Sequence, residues 1–459
     1  MVRLFFGLLV IAALALGVGL YVGAGRAPGP AIEIHQPARF VGRIGRFEAS
    51  VDATDGVLTG VTAAIEQGDT RIPLFSLAAP DNTAITQDTE TRIRISRELT
   101  RDDYPALSPG PATVVVEATR TVLFGLRERT ATARVEIEAR FDPPRLSVRS
   151  SFHYLNHGGA ELVVYQVTPP DTASGVRVGD LTFPGYPAAA AGIDGADASM
   201  RVALFALMYD QELDTPISLY ARDEAGNEAE IDFDHRVFPR RFRRSRISLA
   251  EGFLESVVPE IVARSEDLQK VAMPPDAGLL EQYLAINGGL RRLNGERLLD
   301  IAADTADTKL WTGPFRQLGN SQVESGFADH RTYVYDGRDV DQQVHLGFDL
   351  AATANVAVKA ANSGRVVFAD YFDIYGNCVI VDHGLGLQSL YAHLSSIDVQ
   401  PGDLVTAEDD LGRSGTTGLA GGDHLHFAIL LHGRPVTPME WWDSHWIEDR
   451  IDRKLRAAS

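Results

Sequence analysis

The sequence predicts a mainly β protein that begins with one transmembrane helix, and three observations lead to this fold class. An uncharged apolar run opens the chain, apolar and polar residues alternate in many short runs before residue 240, and strand-rich sequence returns near residue 310. Between the two β regions, apolar residues recur at helical spacing. The predicted order is a transmembrane anchor or signal segment at 1–30, β-sandwich domains at 31–142 and 143–240, a helical connector at 241–309, a β domain at 310–440 and a C-terminal helix at 441–459.

The composition is that of a folded globular protein with several domains. The 459 residues are 45% hydrophobic and 23% charged, and a chain of this length is expected to form about three domains. The formal net charge is −19. Because so acidic a surface repels phosphate backbones, we expect no nucleic-acid partner. The single cysteine, Cys378, excludes an internal disulfide and a zinc site built from thiolates.

The apolar run Leu4–Ala24 is long enough to cross a membrane as a helix. About 20 apolar residues at 1.5 Å per residue span the roughly 30 Å hydrocarbon core. A secretory signal usually has a shorter apolar region of about 7–15 residues, which favours an uncleaved anchor. The small residues Val22 and Ala24 also suit signal-peptidase cleavage, and a buried soluble helix is the third alternative. With an anchor or a signal, the rest of the chain is exported.

Two stretches predict β-sandwich domains. In the first, Thr113–Glu117 and Ala133–Ile137 alternate apolar and polar residues between clusters of Gly, Pro, Asp and Asn. Pro143–Pro144 interrupts this pattern and predicts a boundary. The second stretch contains the strand-like segment Leu162–Val167, and its segment Tyr220–Asn227 resembles the closing region of bacterial immunoglobulin-like modules. A small barrel is the alternative, because alternation alone does not separate it from a sandwich.

Helical periodicity predicts the connector. Ser248 and Glu251 form a capping-box pattern that predicts a helix over Leu249–Arg264. Helical spacing resumes over Leu279–Leu299, with a break expected at Gly288–Gly289. No residue type in the connector suggests chemistry. The six arginines between Arg236 and Arg246, around the start of the connector, are interpreted as a solvated linker that pairs with acidic neighbours, and contact with an anionic polymer or lipid is the alternative.

The strand-rich C-terminal stretch holds seven of the twelve histidines. Its segment Gly422-Asp-His-Leu-His-Phe427 places His424 and His426 two residues apart. On a strand, two such side chains share one face, and a pair of imidazoles on an apolar face is costly unless something uses them. Upstream, His345 and Asp349 lie in the segment His-Leu-Gly-Phe-Asp. A His, an Asp and one further His would give zinc three protein ligands and leave one position open for water, as in catalytic zinc sites.

Two further segments complete the pattern. They are Leu390-Tyr-Ala-His-Leu394, which contains His393, and the glycine-rich turn Gly412–Gly418. In this order, and with Tyr375-Gly-Asn377 and Val381-Asp-His-Gly384, the segments resemble the LytM/lysostaphin family of zinc-dependent peptidoglycan endopeptidases. The resemblance covers about residues 310–440 and implies a compact antiparallel β metallopeptidase domain with a groove wide enough for a peptide.

The resemblance implies a role for each motif residue. His345, Asp349 and His426 would bind one zinc ion per chain, and His393 and His424 would be catalytic. One catalytic imidazole would take the proton from water while the other stabilises the oxyanion, and the sequence does not decide between them. The implied function is a membrane-tethered zinc metalloendopeptidase that hydrolyses peptidoglycan cross-links in cell-wall remodelling. It would lie on the inner or cytoplasmic membrane, with its catalytic domain in the periplasm or cell-wall space.

Two other functions remain open. Some relatives in the resembled family have lost zinc ligands and act as noncatalytic activators of cell-wall amidases, whereas all five motif positions are retained here. Alternatively, the β domains or the connector cover the groove until an activating or adaptor protein releases them. In some family members an upstream asparagine fills the open zinc position. Asn320 is the candidate for that role, and an ordinary polar loop residue is the default interpretation.

Several other residues in this stretch have structural interpretations. Ser325 and Arg331 resemble the family's segment at the mouth of the groove, and packing is the alternative for both. His330 and His383 match no ligand position and are interpreted as structural or surface residues. Cys378 is predicted to lie in a buried strand. Three tryptophans near the C-terminus are predicted to pack a helix with an exposed charged end onto the domain, and a sugar-binding platform is the alternative.

Overall fold

The computed structural model of the protein describes residues 2–54, 56–80 and 84–458. It shows a mainly β chain, as predicted, that forms two compact units. The first unit comprises Met1–Pro144 with Arg222–Ala229, and the second comprises Arg145–Ala221 with Glu230–Ser459. The finer division into separate domains stays a prediction.

An apolar helix, α1, spans Val2–Ala24. Its segment Phe5–Ala24 has a mean hydropathy of 2.5 and none of it is buried, so it is long and apolar enough to span a membrane. A signal sequence near the N-terminus passes the same test of length and apolar character. The predicted apolar helix is therefore confirmed, and the choice between a retained anchor and a cleaved signal stays a prediction.

The rest of the first unit is built from two β-sheets around one core. Its strands are β1 (Ala31–Gln36), β2 (Phe40–Val41), β3 (Ile44–Asp52), β4 (Leu58–Gln67), β5 (Thr70–Ser76), β6 (Ala84–Gln87), β7 (Arg92–Thr100), β8 (Gly110–Val122) and β9 (Arg127–Ala139), with a 3₁₀ turn at Arg101–Asp103. The sheet orders are β1-β3-β7-β6 and β2-β9-β8-β4-β5. Phe47 of one sheet and Val114 of the other are fully buried in the shared core, as in a sandwich. The two strands predicted from alternation lie in β8 and β9, which pair with each other.

Residues 145–240 form a second set of sheets. Its strands are β10 (Arg145–Val148), β11 (His153–Asn156), β12 (Ala160–Thr168), β13 (Ala173–Val178), β14 (Leu181–Pro184), β15 (Tyr186–Pro187), β16 (Met200–Ala206), β17 (Ile217–Arg222), β18 (Glu228–Asp232) and β19 (His235–Phe238), with a 3₁₀ turn at Ala188–Ala191. The sheet orders are β10-β12-β16-β15 and β14-β13-β17-β18, and β11 pairs in parallel with β19. Phe205 of β16 lies in the same continuous core as Trp311 and Trp441 from the C-terminal stretch. This second β region therefore packs as one body with the C-terminal β region.

The connector is helical, as predicted, but two of its details differ from the prediction. Its elements are β20 (Arg244–Ser248), α2 (Glu251–Arg264), a 3₁₀ turn (Glu266–Lys270), α3 (Leu279–Ala285), a π turn (Ile286–Leu290) and α4 (Arg291–Ala302). The predicted start of the first helix is wrong by two residues, because Ser248 ends a strand that pairs with residues 330–334 and Ala250 precedes the helix. The break predicted at the glycine pair is a π turn instead. A Cβ at Gly289 would lie 2.4 Å from Val271 Cγ1, so glycine allows a close approach there.

The C-terminal β region is dominated by one antiparallel sheet. Its strands are β21 (Gln322–Ser325), β22 (Asp329–Tyr335), β23 (Arg338–His345), β24 (Phe348–Ala351), β25 (Ala357–Lys359), β26 (Gly364–Tyr371), β27 (Asn377–Gly384), β28 (Leu387–Leu394), β29 (Ser396–Ile397), β30 (Leu404–Val405), β31 (Asp410–Arg413), β32 (Leu425–Leu431) and β33 (Arg434–Val436), with a 3₁₀ turn at Asp373–Tyr375. The main sheet has the order β21-β24-β32-β28-β27-β26-β30, with β33 beside β32, and smaller sheets have the orders β20-β22-β23 and β25-β31-β29. Cys378 lies fully buried in β27, as predicted.

The C-terminal segment is a series of short helical turns. They are α5 (Pro438–Trp442), α6 (Ser444–Ile447), a π turn (Glu448–Asp452) and α7 (Arg453–Ala458). The predicted packing role of the tryptophans is confirmed, because Trp441 is fully buried with its ring centroid 5.6 Å from that of Trp311. The predicted exposure of the charged end is wrong for Lys454. Its ammonium is buried and donates to Glu161 Oε1 at 2.8 Å, so a distant strand supplies the charge that makes burial possible.

A second buried acid, Glu440, predicts a dependence of stability on pH. Its carboxylate accepts hydrogen bonds from Asn156 Nδ2 and the Ala160 N–H, and burial raises its pKa from 4.5 to about 7. Between these values the folded state holds the proton more tightly than the unfolded state. The free energy of unfolding is therefore expected to fall as the pH rises from about 4.5 to about 7, by about 3 kcal/mol at most.

This contribution is measured by urea unfolding of the wild type and of Glu440→Gln across that pH range. The difference in unfolding free energy between them should shift in favour of the variant as the pH rises. A difference that does not change with pH would contradict the assignment.

Candidate metal and catalytic site

A groove of about 770 Å³ in the second unit is lined by residues from several parts of the chain. The strands β23, β24 and β32 contribute His345, Asp349 and His426. The connector contributes further residues, among them Phe253 and Arg291. The connector, for which the sequence suggested no chemistry, therefore shapes part of the groove.

Three side chains in the groove bring their ligand atoms together. His345 Nε2 lies 2.9 Å from Asp349 Oδ1 and 3.0 Å from His426 Nδ1. His426 Nδ1 lies 2.9 Å from the same carboxylate oxygen. Two ligand atoms at about 2.0–2.1 Å from a tetrahedral zinc ion lie about 3.3 Å apart, so this triangle differs from zinc geometry by only a few tenths of an ångström. The donor set, two imidazoles and one carboxylate, also fits zinc.

The register of the main sheet brings two of these residues together, and a neighbouring strand supplies the third. Asp349 in β24 lies directly opposite His426 in β32, and His345 is the last residue of β23. The chain turns between β23 and β24 at Gly347. A Cβ at Gly347 would lie only 2.5 Å from His426 Nε2. The glycine of the His-Leu-Gly-Phe-Asp segment is therefore required by the imidazole of a strand far away in the sequence.

Neighbouring polar groups orient the three candidate ligands. His345 Nδ1 donates to the Gly326 carbonyl at 3.0 Å, which leaves the Nε2 lone pair free for a metal. Asp349 Oδ2 accepts from Arg331 Nη2 at 3.0 Å, so only its Oδ1 faces the two histidines. Arg331 Nη2 also donates to Ser325 Oγ at 2.7 Å. Ser325 and Arg331, for which the sequence left packing open, thus contact the cluster directly.

Two further histidines lie beside the cluster. His393 Nδ1 donates to the Thr417 carbonyl and His424 Nδ1 to the Gly422 carbonyl, each at 2.8 Å. Each ring therefore keeps its Nε2 for a partner other than the backbone. The two ring centroids are 4.9 Å apart, and His424 Nε2 lies 3.5 Å from Asp349 Oδ1. The structure thus brings all five sequence-predicted residues into one groove.

The backbone at these two histidines is irregular. Strand β32 begins at Leu425, so His424 lies just before the strand and forms an isolated bridge with Gly415. His393 has a φ of +62°, in the left-handed region that non-glycine residues rarely occupy. Such conformations cost free energy and cluster at functional sites, where the surrounding structure imposes them.

Burial and mutual charges set the protonation of the cluster. Burial lowers the pKa of His426 to about 4, and burial together with the charges of the other histidines lowers that of His393 well below its usual value. Burial by itself would raise the pKa of Asp349. The charge of His345 and its hydrogen bond to the carboxylate are the main opposing effects, and the pKa of Asp349 lies well below its usual value. Burial would lower the pKa of His424, but its hydrogen bond to Asp349 raises it. At neutral pH, Asp349 is ionised and His426 is neutral, the forms that bind cations.

Other residues singled out from the sequence lie away from the cluster. Asn320 is an exposed turn residue with a φ of +54° and does not line the groove. His330 is exposed. His383 is fully buried, with Nδ1 bonded to the Ser363 carbonyl and Nε2 to Ser389 Oγ, and burial lowers its pKa to about 4. The structural interpretations of His330 and His383 agree with these positions.

Sequence reasoning missed several residues of the groove. Tyr375 lies with its ring centroid 5.7 Å from that of His426, although the sequence singled out its segment only as part of the resemblance. Asn287 and Arg291 enter from the connector. Nothing in the sequence marks them, because their approach to the groove depends on the packing of the connector against the β region.

The family of the C-terminal region follows from comparison with known proteins. Residues 343–438, which contain all five site residues, match the sequence profile of Peptidase family M23. These residues form an M23 peptidase domain. The resemblance to LytM and lysostaphin is therefore confirmed.

Relatives of the M23 domain have names of two kinds. It is similar to "DD-carboxypeptidase/endopeptidase Mpg" of Neisseria meningitidis serogroup B, with 36% identity over 97 residues, which are 21% of this chain and 22% of the relative. It is also similar to "Murein hydrolase activator EnvC" of Escherichia coli, with 37% identity over 95 residues, which are 21% of this chain and 23% of the relative. The chain thus spans about a fifth of the length of the curated relatives it matches. A solved structure of the lysostaphin catalytic domain from Staphylococcus simulans is 27% identical, covers 28% of this chain and 98% of its own, and has a TM-score of 0.25.

Proposed function

We propose that this protein is a zinc metalloendopeptidase that hydrolyses peptide cross-links of peptidoglycan on the outer side of a membrane. The observation that carries the proposal is the presence in one groove of the cluster His345, Asp349 and His426 beside His393 and His424. The endopeptidase name of a relative supports the reaction class, and the M23 match of residues 343–438 supports peptidoglycan as the substrate class. The apolar N-terminal helix supports export and a membrane tether.

Each member of the cluster has a defined role in this proposal. His345 would hold zinc through Nε2, His426 through Nδ1 and Asp349 through Oδ1. Zinc supplies Lewis-acid chemistry when bound, lowering the pKa of water to about 7 and polarising the scissile carbonyl. Arg331 keeps Asp349 from rotating by binding its second oxygen. The Gly326 carbonyl fixes the His345 tautomer that can bind a cation.

His393 and His424 would carry the proton transfers. Because each donates its Nδ1–H to a backbone carbonyl, each presents Nε2 as a proton acceptor when neutral and as a hydrogen-bond donor when protonated. One accepts the proton of the attacking water and later passes it to the leaving amine. The other donates a hydrogen bond to the developing oxyanion.

A noncatalytic activator of cell-wall amidases is the second candidate, and the similarity to the murein hydrolase activator favours it. An activator has no need of a metal cluster with oriented ligands and two further histidines. The retention of all five side chains in hydrogen-bonded positions therefore supports the hydrolase. Release of the groove by an activating or adaptor protein stays a prediction.

Digestion of purified peptidoglycan by the zinc-loaded protein, followed by mass spectrometry, tests the proposal. We expect the loss of cross-linked muropeptides, no cleavage in the presence of a chelator, and recovery when zinc is restored. His424→Ala serves as the matched inactive variant. If the folded, zinc-containing protein cleaves nothing but increases cleavage by an added amidase, the activator function replaces the proposed one.

Replacement of Gly347 by alanine tests whether the tight turn positions His426. The added Cβ would lie 2.5 Å from His426 Nε2, so the imidazole must move away from the cluster. Zinc affinity is expected to fall about 10–100-fold, as when groups that orient ligands are lost. Competition with a chromophoric chelator measures this. Gly295→Ala, where a Cβ meets no atom within 4 Å, is the control, and equal zinc affinity in both variants would contradict the prediction.

A further inference from the structure

A second pocket of about 540 Å³ adjoins the catalytic groove. We call it the arginine pocket, after three of its lining residues, Arg244, Arg291 and Arg331. Arg291 and Arg331 also line the catalytic groove, so the two cavities share these side chains. Tyr209 and His330 form an aromatic contact in its wall, with ring centroids 6.3 Å apart. None of the described residues that line it is acidic, although the protein has a net charge of −19.

Two of the three arginines of this pocket, Arg291 and Arg244, form no ion pair within the described part of the chain. Arg291 donates only to Asn287, from Nε to its carbonyl at 3.0 Å and from Nη2 to its Oδ1 at 2.7 Å. The nearby Asp341 is engaged by the same Asn287, through Nδ2 at 2.7 Å. Arg244 has no hydrogen bond or ion pair to any described side chain. Guanidinium groups without an acidic partner attract an anionic group.

Arg331 adds a second observation. Its Nη2 binds Asp349 in the cluster, but its Nε is buried and has no hydrogen-bond partner among the described residues, and Asp329 Oδ2 lies 3.8 Å from it. A buried donor without a partner costs free energy, and a bound acceptor would recover it. Where the two cavities meet, next to the catalytic groove, Arg331 therefore has an N–H donor that lacks an acceptor.

The π turn of the connector positions Arg291 where the arginine pocket meets the catalytic groove. Asn287 lies in the turn and Arg291 is the first residue of α4, four positions later, so both lie on one helical face. The π turn is a conformation that is rare in helices and frequent at functional sites. It places a cation from the connector at the substrate groove of the M23 domain.

We infer that the arginine pocket binds a free carboxylate of the peptide substrate, with Arg291 and Arg244 as its anchors. The inference rests on the proposed function, because it assigns a subsite of the same groove. Stem peptides of peptidoglycan carry free carboxylates, and guanidinium groups bind carboxylates through short, paired hydrogen bonds. Such a subsite would select the acidic form of the peptide over its amidated form.

Binding of two synthetic peptides to the full, zinc-loaded chain in detergent tests the inference. One is the stem tetrapeptide with diaminopimelate, and the other is the same peptide with its carboxylates converted to carboxamides. The wild type should bind the carboxylate peptide about 10–100-fold more tightly. Arg291→Gln and Arg244→Gln should each lose much of this preference while binding the carboxamide as the wild type does. Arg291→Lys should keep part of it.

Arg246→Gln is the matched control, since Arg246 lies on the same strand but is paired with Asp339 outside the pocket. Zinc content and melting temperature identify any variant that fails to fold, and Arg244→Gln removes an exposed side chain without internal bonds. Equal affinities of the wild type for the two peptides, or a preference unchanged in both arginine variants, would overturn the inference. If the wild type prefers the carboxylate peptide but does not hydrolyse a cross-linked peptide, the result supports the subsite and contradicts the proposed endopeptidase activity.

Discussion

On the proposed function, replacing His426 with alanine is expected to abolish zinc binding and, with it, measurable cleavage of peptidoglycan. His426 Nδ1 is one of three donor atoms in the cluster, and the other two come from His345 and Asp349. Two remaining protein ligands form an incomplete site, so affinity should fall by on the order of 1,000-fold or more. The measurement is zinc stoichiometry by elemental analysis after dialysis, together with muropeptide release.

His424→Ala is the matched comparison, since His424 lies two residues away and donates to the Gly422 carbonyl from its Nδ1. This variant should keep one zinc ion per chain but lose about 100- to 10,000-fold in turnover, the usual contribution of a general acid or base. His393→Ala should behave in the same way. If His424→Ala loses the metal as His426→Ala does, the division into ligands and catalytic histidines is wrong.

Replacing Lys454 with methionine is expected to destabilise the second unit by about 3–5 kcal/mol. Lys454 Nζ lies 2.8 Å from Glu161 Oε1, and both side chains are buried. Burial raises the pKa of Glu161 and lowers that of Lys454, so each charge depends on the other. Without the ammonium, Glu161 would be a buried carboxylate that accepts hydrogen bonds from the Tyr154 and Leu162 N–H groups, and its remaining cationic neighbour would be Arg450, with Nε 3.9 Å from Oε2.

Urea unfolding of protein lacking residues 1–30 measures this effect. The double variant Glu161→Gln/Lys454→Met removes both charges and should recover roughly half of the lost stability, because a neutral amide costs less to bury than an unpaired carboxylate. Lys359→Met, at an exposed ion pair with Asp410, is the control and should change stability by less than about 1 kcal/mol. Equal losses in the single and double variants would contradict a role for the unpaired charge.

The candidate cluster could be predicted from the sequence because its residues occur in short segments with characteristic spacing. His345 and Asp349 are four residues apart, and His424 and His426 are two apart, so local geometry already limits where their side chains go. The amphipathic alternation of strands such as β8 and β9 is equally local. The apolar run that forms α1 is local in the same way.

The sequence-based predictions that failed concern residues whose structure depends on a partner far away in the sequence. Ser248 forms a strand instead of a helix cap because residues 330–334 pair with it and its neighbours. Lys454 is buried instead of exposed because Glu161, 293 residues earlier, neutralises it. The glycine pair at 288–289 continues a helix as a π turn, where its neighbour Val271 leaves no space for a side chain.

The sequence by itself determined the class of fold, the apolar N-terminal helix and the choice of the five candidate site residues. The period of the apolar pattern, the length of the apolar run and the motif spacing are all properties of neighbouring residues. Only the tertiary structure decided how Arg331 orients Asp349, and why Gly347 must face His426. It alone brought Arg291 from the connector to the groove. These contacts depend on the register and packing of elements far apart in the chain, which one sequence read residue by residue does not encode in any local pattern.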